Sequence, residues 1–200
     1  MKRYLCHEKN LVRFIALLAL SAVLFLIFWT ASYYWLPEGI FRGKTGSAIV
    51  GADAADTFLS EFLRIAAYNL IMGIGLIIAA NWILKVDCFP LGYLIPLYYV
   101  ILYALFLGTN SFSIPLAGKM APSLAVFGRS GVYEITAFLL MASSTYQISA
   151  YRIVQAFPPQ SEPISPAPVF WKAVDWAGFV IAAAALLSAN AWEAYRIVTM

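Results

Sequence analysis

Apolar residues fill long stretches of this chain, and the polar positions fall in clumps between them. Leu11 to Trp35 is almost wholly apolar and closes on Tyr33, Tyr34 and Trp35, the aromatic group of a membrane interface. Apolar runs also occupy Leu63 to Leu84, Leu91 to Leu107, Gly131 to Ala150 and Ala173 to Ala194. A bilayer core of roughly 30 Å takes about 20 apolar residues per helix, so the pattern predicts five spanning helices over 11–35, 63–84, 91–107, 131–150 and 173–194. The fold class expected is an all-α integral membrane bundle forming one transmembrane domain over residues 1–200. A cleaved leader is the rival reading of the first run, which exceeds the roughly 7 to 15 residues of a leader's apolar core.

The connections differ in kind. Pro37 to Phe62 mixes Gly39, Gly43, Gly46 and Gly51 with Asp53, Asp56 and Glu61, a loop outside the membrane that turns helical near its end. Lys85 and Asp87 mark a tight turn, and Pro96 predicts a kink in the third helix. Gly108 to Ser130 holds Pro115, Gly118, Lys119, Pro122 and Arg129 among Phe112, Leu116, Leu124 and Phe127. It is too broken to span and too apolar for a free loop, so a re-entrant or interfacial segment is expected over 108–130. Gln155 to Lys172 carries five of the ten prolines and reads as a stiff extended linker.

Composition agrees: 62% hydrophobic residues, 12% charged and a mean hydropathy of +0.80 fall outside the range of soluble domains. The net charge of +3 comes from scattered residues, which leaves nucleic-acid binding without a footprint. Cys6 and Cys88 are far apart and His7 is the only histidine, so neither a metal site, a haem nor a disulfide framework is expected. No cofactor and no catalytic residue is predicted. On the five-helix plan Lys2, Arg3, Lys9, Arg13, Lys85, Arg152 and Lys172 share the face of the N-terminus. That is seven basic residues against six opposite, Arg42, Lys44, Arg64, Lys119, Arg129 and Arg196. Four of them lie before the first helix or in its first turn, which predicts a cytoplasmic N-terminus and an external C-terminus.

An ionisable side chain inside a span costs about 2.5 to 3.5 kcal/mol. Arg64, Glu134 and Glu193 each sit at a helix end, and the plan puts all three at one end of the bundle. With Asn69 and Asn190 they form a candidate polar cluster in which Arg64 is expected to pair with a glutamate. The alternatives are snorkelling to water and a packing salt bridge. Ser143, Ser144, Thr145 and Gln147 read as hydrogen-bonding glue between helices, and Gly73, Gly75, Gly131 and Ala182 to Ala185 as close-packing positions.

Three stretches carry a family resemblance. Ile65 to Gly75 (IAAYNLIMGIG), Ser130 to Ala137 (SGVYEITA) and Ala189 to Tyr195 (ANAWEAY) resemble, in order, three helices of the stage II sporulation protein M family of prokaryotic multi-pass membrane proteins. Ser130 stands where that family usually has a histidine. The resemblance implies a prokaryotic cell membrane, Asn69, Gly131, Glu134 and Glu193 as the family's marked positions, and a non-enzymatic anchor that recruits other proteins. Sporulating members are similar to recruiters of wall-remodelling hydrolases; sporulation itself is not expected here. The leading expectation is therefore a scaffold or accessory subunit whose partners are the lipid bilayer and other membrane proteins or further copies of itself. Six Trp, twelve Tyr and fourteen Phe supply aromatic surface for it. A small transporter or permease subunit with Arg64, Glu134 and Glu193 on a polar path is the alternative, and an intramembrane enzyme comes third.

Overall fold

The computed structural model describes residues 2–43, 55–155, 160–164 and 172–199. Parts of the predicted loop and linker, residues 44–54, 156–159 and 165–171, lie outside the described residues. A short helix α1 (Lys2–Leu5) precedes α2 (Asn10–Trp35). The second long helix starts at Thr57, whose hydroxyl caps the backbone N–H of Ser60. It runs as α3 (Phe58–Tyr68), a π-helical segment (Asn69–Gly75) and α4 (Leu76–Ile83). A 3-10 turn (Leu91–Tyr93) leads into α5 (Leu94–Thr109), followed by α6 (Ser130–Ser144) and α7 (Ala173–Val198).

Among the described residues four helices are long and apolar enough to cross a membrane: Asn10–Trp35, Phe58–Ile83, Leu91–Thr109 and Ala173–Val198. The fourth predicted span, over 131–150, is shorter than expected. Its 15 residues extend about 22 Å, less than a bilayer core. Thr145 ends it by donating its hydroxyl to the Met141 carbonyl (2.9 Å), and a 3-10 turn (Tyr146–Ile148) follows. Its side chains are nevertheless well buried: Ala137, Phe138, Leu139, Met141 and Ala142 lie in the main core with Leu17, Ile77 and Leu186. The short helix is thus wrapped by the long ones, and its burial offsets its length.

The all-α expectation needs correction. Strands β1 (Leu84–Val86), β2 (Phe89–Pro90), β3 (Tyr151–Gln155) and β4 (Gln160–Pro163) form one sheet in the order β2-β1-β3-β4. β1 pairs antiparallel with β2 and parallel with β3, and β4 closes the far edge antiparallel to β3. The expected turn at Lys85 and Asp87 is a hairpin with Asp87 left-handed (φ 56°). The described part of the expected linker is strand as well, with Pro163 on an edge where a missing N–H breaks no ladder. These pairings satisfy backbone groups that emerge from the ends of α4 and α6. Pro96 lies in the first turn of α5, where its N–H would have no helical partner, so it removes no helical bond.

The sheet face is tied covalently, against expectation. Cys6 and Cys88 form a disulfide with Cα atoms 5.6 Å apart, and Lys2 pairs with Asp87 beside it at 2.5 Å. The two cysteines are 82 residues apart in sequence, and it is the docking of the N-terminal segment on the hairpin that brings them together.

The opposite face is covered by the predicted non-spanning segment. Asn110 caps α5 in a left-handed conformation, and the Leu116 N–H donates to its side-chain oxygen (2.8 Å). The Met120 N–H donates to the Leu107 carbonyl (3.0 Å), and the Trp29 indole donates to the Met120 carbonyl (2.7 Å). Lys119 reaches back to the carbonyls of Tyr33 and Leu36 at the end of α2. Two close approaches fix the spacing of the long helices. An added Cβ on Gly108 would fall 2.0 Å from the Ser32 hydroxyl, and one on Gly178 would fall 2.3 Å from that of Ser144.

Candidate functional site

The π-helical segment sets the first element of the site. Gly73 allows the Phe138 ring to press on it, since an added Cβ would lie 2.3 Å from that ring. The Tyr99 hydroxyl donates to the Met72 carbonyl (2.9 Å). Such a widened turn re-aims side chains along a helix. Here Asn69 points between α6 and α7, where its amide donates to Glu134 Oε2 (3.2 Å) and Asn190 Oδ1 (2.8 Å). The structure thus joins Asn69, Glu134 and Asn190, three predicted site residues from three helices.

Above this trio lies a chamber of about 320 Å³ at the face opposite the sheet. Its charged lining is Glu61, Arg64, Arg129, Glu134, Glu193 and Arg196. Arg64, Glu134 and Glu193 therefore do collect at one end, but the pairing differs from expectation. Among the described residues the ion pair of Arg64 is with Glu61 (2.7 Å), not with Glu134 or Glu193. Glu61, expected where the loop turns helical, lies three residues before Arg64 on α3, within side-chain reach. Its second oxygen accepts the Ala55 N–H (2.8 Å). Arg196 donates to the Gly128 carbonyl (2.5 Å).

Gly131 lets the Tyr103 ring lie against α6, because an added Cβ would sit 2.6 Å from it. Gly73 and Gly131 thus act as close-packing positions. Gly75 does not: the one atom near its added Cβ would be the Leu70 carbonyl of its own segment. A second cavity of about 180 Å³ shares Tyr103, Phe106, Gly131 and Glu134 with the chamber and continues between α3 and α5 past Tyr68 and Tyr99. Three buried polar atoms around these spaces have no hydrogen-bond partner among the described residues: Glu134 Oε1, the Tyr103 hydroxyl and Asn190 Nδ2. Glu193 and Ser130 flank the Glu134 carboxyl. An acceptor and two donors left open in this way can hold a polar ligand or water. Among the described residues no three His, Cys, Asp or Glu side chains gather as a metal site.

A second polar centre, at the sheet face, was not foreseen. Arg13 is fully buried, and each of its five N–H groups is used. Nε and Nη2 donate to the Ser143 carbonyl (3.3 and 3.0 Å), and Nη1 to those of His7 (2.8 Å) and Glu8 (2.7 Å). Nη2 also meets Asp175 Oδ1 at 3.2 Å. The guanidinium and the Lys85 ammonium both lie over the Tyr146 ring, 4.5 and 3.9 Å from its centroid. Burial, then the charges of Arg13 and Arg152, push the Lys85 ammonium down to about 8. On the neighbouring hairpin the Lys2 ammonium holds the Asp87 carboxyl below its usual range.

The signal in the sequence was Arg13 inside an apolar run together with Asp175 at the start of the last helix, opposite charges on one predicted face. Of the residues expected as glue, Ser144 accepts from Asn10 (3.0 Å) and Thr145 from Asn81 (2.7 Å), whereas the Ser143 hydroxyl donates to Leu140 of its own helix (2.9 Å). Comparison with models of protein families, with curated proteins and with solved structures finds no match for this chain.

Proposed function

We propose that the chain is a non-enzymatic multi-pass membrane protein of the prokaryotic cell membrane, a scaffold or accessory subunit that anchors partner proteins. The observation that carries this reading is the contrast between its two faces. One is locked by a disulfide, a sheet and the saturated Arg13 centre, whereas the other presents a chamber with open hydrogen-bonding atoms. The sequence resemblance to the stage II sporulation protein M family supports it through Gly131, Glu134 and Glu193, which line that chamber, and Asn69, which donates to Glu134 beside it. A transporter needs a polar route to both faces, and the charged lining of the chamber belongs to one.

Lipid is the natural solvent of the sides. Val23, Leu26, Ile27, Ile71, Val180 and Ile181, all in the middle of long helices, are each more than half exposed. Exposed aromatics ring both ends, with Tyr34, Trp35, Trp192 and Tyr195 at the chamber face and Trp82, Tyr151 and Trp176 at the sheet face. For orientation the count of seven basic residues against six is nearly even. The Cys6–Cys88 bond lies on the N-terminal face, and disulfides persist in oxidising compartments. We therefore place the N-terminal face outside the cell, the reverse of the orientation expected from basic residues alone.

The test is gentle purification from native membranes into nanodiscs, with quantitative identification of accompanying proteins. A stoichiometric partner that is lost when chamber-face residues such as Arg129 are changed supports the scaffold; gradient-driven solute uptake in proteoliposomes overturns it. Impermeant labelling of a cysteine placed at Gln160 reads the orientation: modification from outside intact cells supports the N-terminal face outside.

A further inference from the structure

We propose that the two joined cavities form one binding site for a membrane phospholipid with a zwitterionic, ammonium-bearing headgroup. The inference rests on the membrane reading above and adds a ligand to it.

The chamber is the headgroup end. Its volume of about 320 Å³ falls at the lower end of the roughly 300–1,000 Å³ typical of small-ligand sites. Glu134 and Glu193 lie side by side there, and Glu134 Oε1 is buried without a donor among the described residues. Two adjacent carboxyl groups and an open acceptor ask for a cation that also donates hydrogen bonds, which a primary ammonium does and a quaternary one does not. Arg129 lines the same chamber without an ion pair among the described residues. With Arg196 beside it, guanidinium chemistry matches a phosphate. The Tyr103 hydroxyl, open at the junction of the cavities, serves an ester oxygen as donor.

The second cavity is the chain end. Tyr68, Tyr99, Leu102, Ile135 and Phe138 make a mainly apolar, aromatic cleft of about 180 Å³ on the side of the bundle. It meets the chamber at Glu134, so a molecule whose charged part ends at that carboxyl has its apolar part directed towards the lipid. Neither cavity alone selects an amphiphile. Their junction does, because the charged and greasy linings are separate and contiguous.

The experiment is native mass spectrometry of the detergent-purified, delipidated protein with phosphatidylethanolamine, phosphatidylcholine or phosphatidylglycerol of identical chains. Soluble glycerophosphoethanolamine serves as a headgroup-only arm. We expect one retained phosphatidylethanolamine, favoured about tenfold or more over the other lipids, the worth of one hydrogen-bonded charge contact. The soluble headgroup should not compete at equal concentration. Glu134→Gln and Arg129→Gln should each cut retention about tenfold, with melting temperatures recorded to show that both variants fold. Leu102→Trp, which fills the cleft and leaves the chamber intact, should weaken lipid retention without touching a charge. Equal retention of the three lipids, or unaltered retention in folded Glu134→Gln, overturns the site; tight binding of the soluble headgroup overturns the role of the cleft. Partner proteins measured in the same preparations keep the two readings apart, since a partner retained without lipid selectivity sinks this inference and leaves the scaffold standing.

Discussion

Replacing Arg13 by Leu removes five donated hydrogen bonds at once and strands Asp175, whose side chain is 5% exposed. Breaking a buried ion pair by deleting one partner costs about 3–5 kcal/mol, because the remaining charge stays desolvated. The reverse deletion, Asp175→Leu, is milder. Arg13 then keeps four bonds to carbonyls and the face of Tyr146, so the loss is that of one charged hydrogen bond plus its Coulomb partner, about 2–3 kcal/mol. If the two side chains acted independently, the double variant would lose the sum, about 5–8 kcal/mol. Since the double variant leaves no buried charge behind, we expect it to lose less than Arg13→Leu alone, and hence a coupling larger than the Asp175→Leu loss of about 2–3 kcal/mol. Unfolding the detergent-solubilised wild type, both single variants and the double variant in one denaturant series measures all four corners of the cycle. Additive losses would refute the reasoning, and so would a single Arg13→Leu loss below about 1 kcal/mol, the worth of one ordinary hydrogen bond.

Other expectations concern the same face and the helix contacts. The Lys85 ammonium has a folded value of about 8 against an ordinary 10.5, so between those values the unfolded chain binds more protons. Stability should rise with pH from about 8 towards 10, before tyrosine ionisation intervenes, and stay flat below; melting temperatures of the wild type and of Lys85→Met, which should lack the rise, check this. Reducing the Cys6–Cys88 bond, or changing both residues to Ser, should cost about 2–4 kcal/mol, and no free thiol should react with maleimide before reduction. Gly178→Val places a branched side chain against Ser144 and should destabilise the bundle by about 1–3 kcal/mol in the same unfolding assay.

The long helices were legible because each writes its own signal: about 20 apolar residues in a row need no knowledge of the rest of the chain. Asn10–Trp35 and Ala173–Val198 match the apolar runs within a few residues. The sheet was illegible for the opposite reason. β1 is three residues long and pairs with residues 67 positions away, a match made by the helices that deliver both strands to one face. The disulfide is hidden in the same way. Glu134 was readable as a costly ionisable residue at a helix end, with Asn69 and Asn190 as its polar partners, because burial cost is a local property. The partner of Arg64 was also written locally, as Glu61 three residues earlier, but the helix start had been placed too late to include it. Arg13 counts in the sequence only as a basic residue of the N-terminal face, because the carbonyls of His7, Glu8 and Ser143 that take the place of water around it are brought there by the fold.

The covalent tie on the sheet face bears on the order of biogenesis. Cys6 precedes the first long helix and Cys88 follows the second, so the bond closes a ring around both. Closure must wait until the hairpin has been synthesised and delivered to the side where its partner already waits. Oxidation of the pair is thus a stamp on a completed helical hairpin. A pulse-labelled chain arrested before residue 88 would carry a reactive thiol that the finished protein lacks, and a single protease cut anywhere inside the ring would leave two pieces travelling together until a reductant parts them.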